Sequence, residues 1–383
     1  MGESVEFVYN SALKKVEINL NKELFEQNYL NNGTFLPDFQ FSFLEPMPSF
    51  THYKFTFYPL ISYEYFNDGL RLGAGFWSGN ILTKQYFMVG NFYYGTQSSV
   101  LGYKLKITNR FPASIGNYTD IELGIHDKDG FKGIQASART EIIDPSDTSV
   151  RHNLFLSFND SKLYDIDYHE KNMYEKGSYS TLNFGYTLKL IKMLWHNDLS
   201  FSIERTINLF NSEMDYTRYD FSEKFRYYIS ERSNILWDFY MGSVDGDNVP
   251  VQELIFAGGD IDPKHQAFIP AYRGSSAPLR KFSLNSGMQM LGHAHTKRVF
   301  LKDKSGYAMG LEFDLPYLPK VYGRMASLFD KPADFSKNDP FYEAGFKLGN
   351  QYFSLIFPLY ISDPGENENN TEFRMFYNFT FPF

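Results

Sequence analysis

Residues 271–279, AYRGSSAPL, hold the side chains with the most specific chemical potential in this 383-residue sequence. The Arg273 guanidinium is a planar fork able to donate to two carboxylates at once, and Gly274 lets the backbone turn sharply beside it. Two acids follow on segments of alternating pattern. In YAMGLEFDLP, Tyr307, Met309, Leu311 and Phe313 share an apolar side, which leaves Glu312 on the other. In VYGRMASLFDK, Val321, Met325 and Phe329 alternate with Arg324 and Asp330. A loop folded back between these segments would place Arg273 between Glu312 and Asp330 and fasten itself there. The same spacing also fits an exposed loop arginine, with both acids wetting a polar interior.

Catalytic patterns are scarce. HEKNM at 169–173 has Met173 where a zinc helix needs its second histidine, and His293, His295 and His265 supply no further ligand of metal-site spacing. No nucleophile elbow or phosphate loop is present, and the sequence contains no cysteine. The expectation is a chain without a catalytic centre, cofactor or metal. A net charge of -8 also disfavours nucleic acid as a partner.

The elements that would position Arg273 and its acids are strands. The C-terminal run EFRMFYNFTFPF places Phe373, Met375, Tyr377, Phe379, Phe381 and Phe383 at every second position, and QYFSLIFPLY and SYSTLNFGYTLKL alternate in the same way. Similar segments begin near residues 54, 70, 85, 99, 118, 131, 150, 178, 195, 216, 233, 306, 321, 341, 351 and 372. Strands of about ten residues span a bilayer when tilted. Aromatics reach 19% while hydrophobic residues as a whole stay at 43%, which suits ribbons with one apolar and one wet face. No window of about 18 apolar residues could form a spanning helix.

Short and long connections alternate through the C-terminal half, the longest being residues 243–305. The predicted fold is therefore all-β: a transmembrane antiparallel barrel of about 16 strands, with a long inward-folded loop between strands 11 and 12. Hydrocarbon requires closure, so the last strand, with Phe379, Phe381 and Phe383, is expected to seal against the first. NDG (67–69) and DKDG (127–130) read as tight hairpins. A large soluble all-β protein is the alternative. Residues 53–383 make the barrel, and residues 1–52, proline-bearing and without a signal-peptide pattern, read as a periplasmic lead-in or the remnant of an upstream domain.

An R-G tip in a long loop, a strand ending L-E-F-x-x-P, a strand ending F-D and an aromatic terminus together resemble the outer-membrane assembly superfamily, which includes the BamA and TamA insertases. The resemblance runs from about residue 230 to 383. It implies that Arg273 pairs with Glu312 and Asp330, and that the terminal aromatics act in barrel closure and as a C-terminal signal. Ser275 stands where the family's tip carries an aromatic, and residues 1–52 are too short for one of the family's periplasmic repeats.

The resemblance further implies an integral protein of a Gram-negative outer membrane, of the bacterial surface antigen kind, acting in insertion or translocation. Its partners would be outer-membrane lipid, client outer-membrane or surface proteins and accessory lipoproteins. The opening hairpin ISYEYFNDGLRLGAGFWSGN is similar to barrels that follow a zinc aminopeptidase in Bacteroidota, which implies an anchor for an upstream peptidase as an alternative. A passive porin-like channel is a third possibility.

Overall fold

The structure, a computed structural model, describes residues 39–43, 53–64, 69–79, 86–96, 101–114, 117–128, 130–144, 146–166, 174–209, 212–258, 270–273, 277–281, 288–293, 301–331, 334, 338–349, 353–364 and 368–379. A short strand, β1 (Phe39–Phe43), precedes β2 (Tyr53–Glu64), β3 (Gly69–Gly79), β4 (Tyr86–Gly95), β5 (Leu101–Ser114) and β6 (Asn117–Lys128). Then come β7 (Phe131–Ile143), β8 (Val150–Leu163), β9 (Gly177–Ile191), β10 (Trp195–Thr206), β11 (Asp215–Ser230) and β12 (Ser233–Asn248). A long insertion carries β13 (Ile255–Phe256), β14 (Pro270–Arg273), β15 (Ala277–Lys281) and β16 (Lys302–Asp303). The chain ends with β17 (Ser305–Asp314), β18 (Lys320–Phe329), β19 (Phe341–Gly349), β20 (Phe353–Ile361) and β21 (Met375–Phe379).

β2 to β12 and β17 to β21 form one antiparallel meander of sixteen strands, with β12 pairing directly to β17 across the insertion. Each predicted strand is present, and each starts within three residues of its expected position. The long loop lies where predicted, between the eleventh and twelfth strands of this wall. The tight turn at DKDG also forms: Lys128 pairs with Phe131 around Gly130, whose φ of +77° suits glycine.

Alternation explains the two faces. Leu123 and Ile125 on β6, Leu154 and Leu156 on β8, Leu182 and Phe184 on β9, and Leu311 and Phe313 on β17 project outward and stay exposed. On the opposite face of β5 and β6 polar side chains bind one another: Lys106 reaches Glu122 at 2.5 Å, and Arg110 reaches Asp120 at 2.7 Å. In water, an outer belt of this extent would be a large unshielded apolar surface.

The buried core lies between wall and insertion. Ile255, Ala257, Met288 and Met290 of the insertion pack with Tyr216, Tyr240, Val244, Ala308 and Ala326 of the wall. Insertion residues meet inward side chains from β11 to β21, so the sheet is concave around them. Gly242 and Gly306 leave room for Ile255, whose side chain a Cβ at either position would approach within 2.8 and 3.3 Å. The two limbs of the insertion are joined at the neck, where Ile255 pairs with Asp303 and Phe256 with Lys302.

Two expectations are corrected at the ends of the meander. The stretch read as a proline-bearing linker contains β1, which pairs in parallel with β2 from Phe39↔Tyr53 to Phe43↔Phe57; Phe39, Phe41 and Phe43 give it strand periodicity. Among the described residues, β21 does not seal against β2. Its edge is taken by β14, through Ala271↔Phe376 and Tyr272↔Met375. β21 also begins at Met375, because Arg374 is buried and its guanidinium donates to the Asn369 carbonyl at 2.7 Å, holding the preceding loop out of strand geometry.

Two glycines give contrasting expectations. A Cβ on Gly345 would lie 1.9 Å from the Phe357 carbonyl oxygen at a register shift between β19 and β20, whereas one on Gly323 would meet nothing within 4 Å. Gly345→Ala is expected to destabilise the folded protein by about 1–3 kcal/mol and Gly323→Ala by under about 0.5 kcal/mol, as measured by urea midpoints in detergent micelles.

Candidate functional site: the seat of the insertion

Each limb of the insertion is held by charged side chains on the inward face of the wall. On the outgoing limb, a single turn at Val251–Glu253 brings the insertion back over β11. Arg218 of β11, only 3% exposed, donates from Nη1 to the Glu253 carbonyl at 3.1 Å and to its carboxylate at 3.4 Å. The rest of that guanidinium binds Asp220, at 2.8 Å through Nε and 3.2 Å through Nη2, and the Tyr240 hydroxyl donates to the same carboxylate at 2.5 Å. Beside it, the Tyr216 hydroxyl donates to Glu204 at 2.7 Å. Burial pushes the Glu253 carboxyl up to about 7; repulsion from Glu204 adds to the shift, and Arg218 opposes it. Gln252 fixes the turn laterally by accepting from the Glu175 amide at 2.9 Å, which joins the insertion to the long connection before β9.

The return limb is gripped by one cross-strand row. Asp238 on β12, Gly310 on β17, Arg324 on β18 and Glu343 on β19 lie in register across four strands. Arg324 reaches over Gly310 to bind both Asp238 carboxylate oxygens, at 2.6 and 2.5 Å, and donates from its other nitrogen to the Met288 carbonyl at 2.9 Å. A Cβ at Gly310 would fall 2.7 Å from the Asp238 carboxylate and 3.1 Å from Cγ of Arg324, so glycine is what lets the ion pair cross the middle strand. Glu343 accepts the Gly292 amide at 2.8 Å and the Tyr322 hydroxyl at 3.2 Å, with fully buried His293 packed beside it on Phe341. Between these anchors Gln289 has a φ of +53°, uncommon without glycine; the neighbouring burial of Met288 and Met290 holds it there.

The residues predicted from sequence are distributed differently. Glu312 faces inward as expected, but its partners are Lys347 at 2.6 Å and Lys320 at 3.9 Å. Asp330 lies just beyond β18 and is exposed. Glu312 pairs with Tyr322, whereas Phe329, next to Asp330, pairs with Ser305 at the opposite end of the same two strands. At about 3.3 Å per residue that is a separation of roughly 25 Å, too far for one guanidinium to bridge. Arg273 ends β14, and Gly274, Phe381 and Phe383 lie outside the described residues. Phe379 is the last residue of β21 and pairs with Phe353.

The clasp that forms has the reverse polarity of the one expected: wall arginines bind insertion carbonyls. A signal for it was present. Asp238 is the one acid within NILWDFYMG, and glycine or alanine occupies the inward positions 242, 306, 308, 310 and 326, where the insertion sits.

No family model matches the chain, and no curated protein does. Among solved structures it is similar to BamA from Haemophilus ducreyi lacking POTRA domains 1–3, at 14% identity over 85% of this chain and 69% of that one, with a TM-score of 0.49. It is also similar to CdiB from Acinetobacter baumannii (10% identity, 82% and 57% covered, TM-score 0.41) and to the copper transporter OprC (9% identity, 82% and 54% covered, TM-score 0.42). None of these overlaps reaches a TM-score of 0.5, so function has to be read from the chain's own geometry.

Arg324→Ala would leave Asp238 buried without its counter-charge and free the Met288 carbonyl. The expected loss is about 3–5 kcal/mol, and Gly310→Val is expected to approach it by wedging the pair apart. Urea unfolding in micelles checks both, with Lys347→Ala expected to cost clearly less.

Proposed function

We propose that this chain is the membrane-embedded barrel of a bacterial outer-membrane assembly protein, serving insertion or translocation of client polypeptides. The observation that carries the reading is a sixteen-strand meander with an apolar outer belt, whose concave side holds a long insertion between wall strands eleven and twelve. Apolar-out, polar-in alternation is the pattern of an outer-membrane barrel. The sequence resemblance to the assembly superfamily points the same way. Lipid would cover the belt, and clients and accessory lipoproteins would be the protein partners.

The seam supplies the working part of this proposal. The two terminal wall strands are not paired with each other among the described residues: β1 lies along β2, and β14 on β21. Unpaired strand edges are templates for an added strand. An incoming client segment would displace β14 and pair with β21, while the clasped limbs keep the insertion in place.

A passive channel is the second reading. It is favoured by the ion pairs of β5–β8, Lys106 with Glu122, Arg110 with Asp120 and Arg151 with Glu141, which line an inward surface suited to water.

With no native cysteine, the pair Tyr272→Cys and Met375→Cys can be tested in isolation; partners in register across antiparallel strands lie within disulfide reach. Under oxidation the crosslink is expected to form in membranes and to abolish client folding in a reconstituted insertion assay, with recovery on reduction. Full activity with the crosslink in place would reject the insertion role. Steady large conductance in planar bilayers, unchanged by the crosslink, would favour the channel.

A further inference from the structure

The cluster beneath the outgoing limb has more acid than base. Glu204 from β10, Asp220 from β11 and Glu253 from the insertion gather around the guanidinium of Arg218, and among the described residues they are also faced by the hydroxyls of Tyr216, Tyr240 and Tyr179 and by the Asn183 amide, which donates to Glu204 at 3.4 Å. Asp220 takes two of the guanidinium contacts as well as the Tyr240 hydroxyl, which leaves Glu253 with one long contact at 3.4 Å. Lys302 and Asp303, on β16 against β13, carry opposite charges. Among the described residues one positive charge thus faces three carboxylates, of which Glu253 is buried, and unbalanced buried charge is costly.

We infer that the root of the insertion is a proton-linked clasp, in which the docked form carries one more proton than the released form and holds it on the Glu253 carboxyl. This does not depend on the insertase reading, since it concerns only how the insertion is seated. The sign follows from linkage. Released and solvated, Glu253 titrates as an ordinary carboxyl at 4.5; docked, burial raises it to about 7. Docking is therefore fully favoured below the lower value and weakens as pH rises through the upper one. The outgoing limb loosens on the alkaline side, while the return limb is held separately by Arg324 and Asp238.

A spin label on Val251→Cys, in the turn that carries Glu253, tests this in the full-length protein in micelles or membranes. The spectrum is expected to be immobilised at pH 5.5 and mobile at pH 8.5. Glu253→Gln, neutral at every pH, should stay immobilised throughout. Identical label mobility at the two pH values in the parent protein overturns the inference, as does an undiminished transition in Glu253→Gln. If Glu253→Gln yields no heat-modifiable folded band, Glu204→Gln decides. Removing that neighbouring negative charge should move the midpoint to lower pH, and an unmoved midpoint rejects the clasp.

Discussion

A single buried ion pair, Arg324 with Asp238, ties the wall to what it encloses. It spans three strands by passing over Gly310, and its spare donor holds the insertion at Met288. Two charges removed from water are stable there only with further hydrogen bonds beside the pairing, and the insertion supplies one of them. Wall and insertion are consequently one folding unit: emptying the concave side would leave the arginine short of a partner, and losing the arginine would release the return limb. The Arg218 cluster on the outgoing side repeats this arrangement with a surplus of acid, so one limb is fixed firmly and the other conditionally.

The two halves of the wall solve their inner faces differently. From β5 to β8, neighbouring strands carry opposite charges that satisfy each other locally, which suits a wetted surface. From β11 to β21, the inner face combines charged anchors with apolar and small residues and uses the insertion as its core. A strand cannot be greasy on both faces unless something covers each, and here the chain covers the inner one itself.

Period two made the architecture legible. Sixteen strands, their starts and the position of the long loop follow from alternation and turn residues, because a slip of one residue would reverse every side chain. The site was less legible. Glu312 could be assigned to the inner face by parity, but parity does not say how far along a strand a partner lies. Register does, and it places Asp330 at the far end from Glu312. The actual clasp depends on rows across four strands that are distant in sequence, such as Asp238, Gly310, Arg324 and Glu343. β1 was hidden because neighbouring prolines outweighed a short phenylalanine alternation, and the inward role of Phe376, buried against Phe256, was masked by the odd-numbered aromatics around it.

The anchoring of both limbs has a kinetic meaning for β14. Because the chain is pinned on either side of it, at Glu253 and Met288, the strand is tethered, and a tethered segment presents itself to β21 at an effective concentration on the order of millimolar. A free polypeptide at micromolar levels would lose that contest rung for rung. β14, however, occupies only Met375 and Phe376, so selection falls on length: a segment able to zip along more of the edge outcompetes the resident, and a short peptide does not.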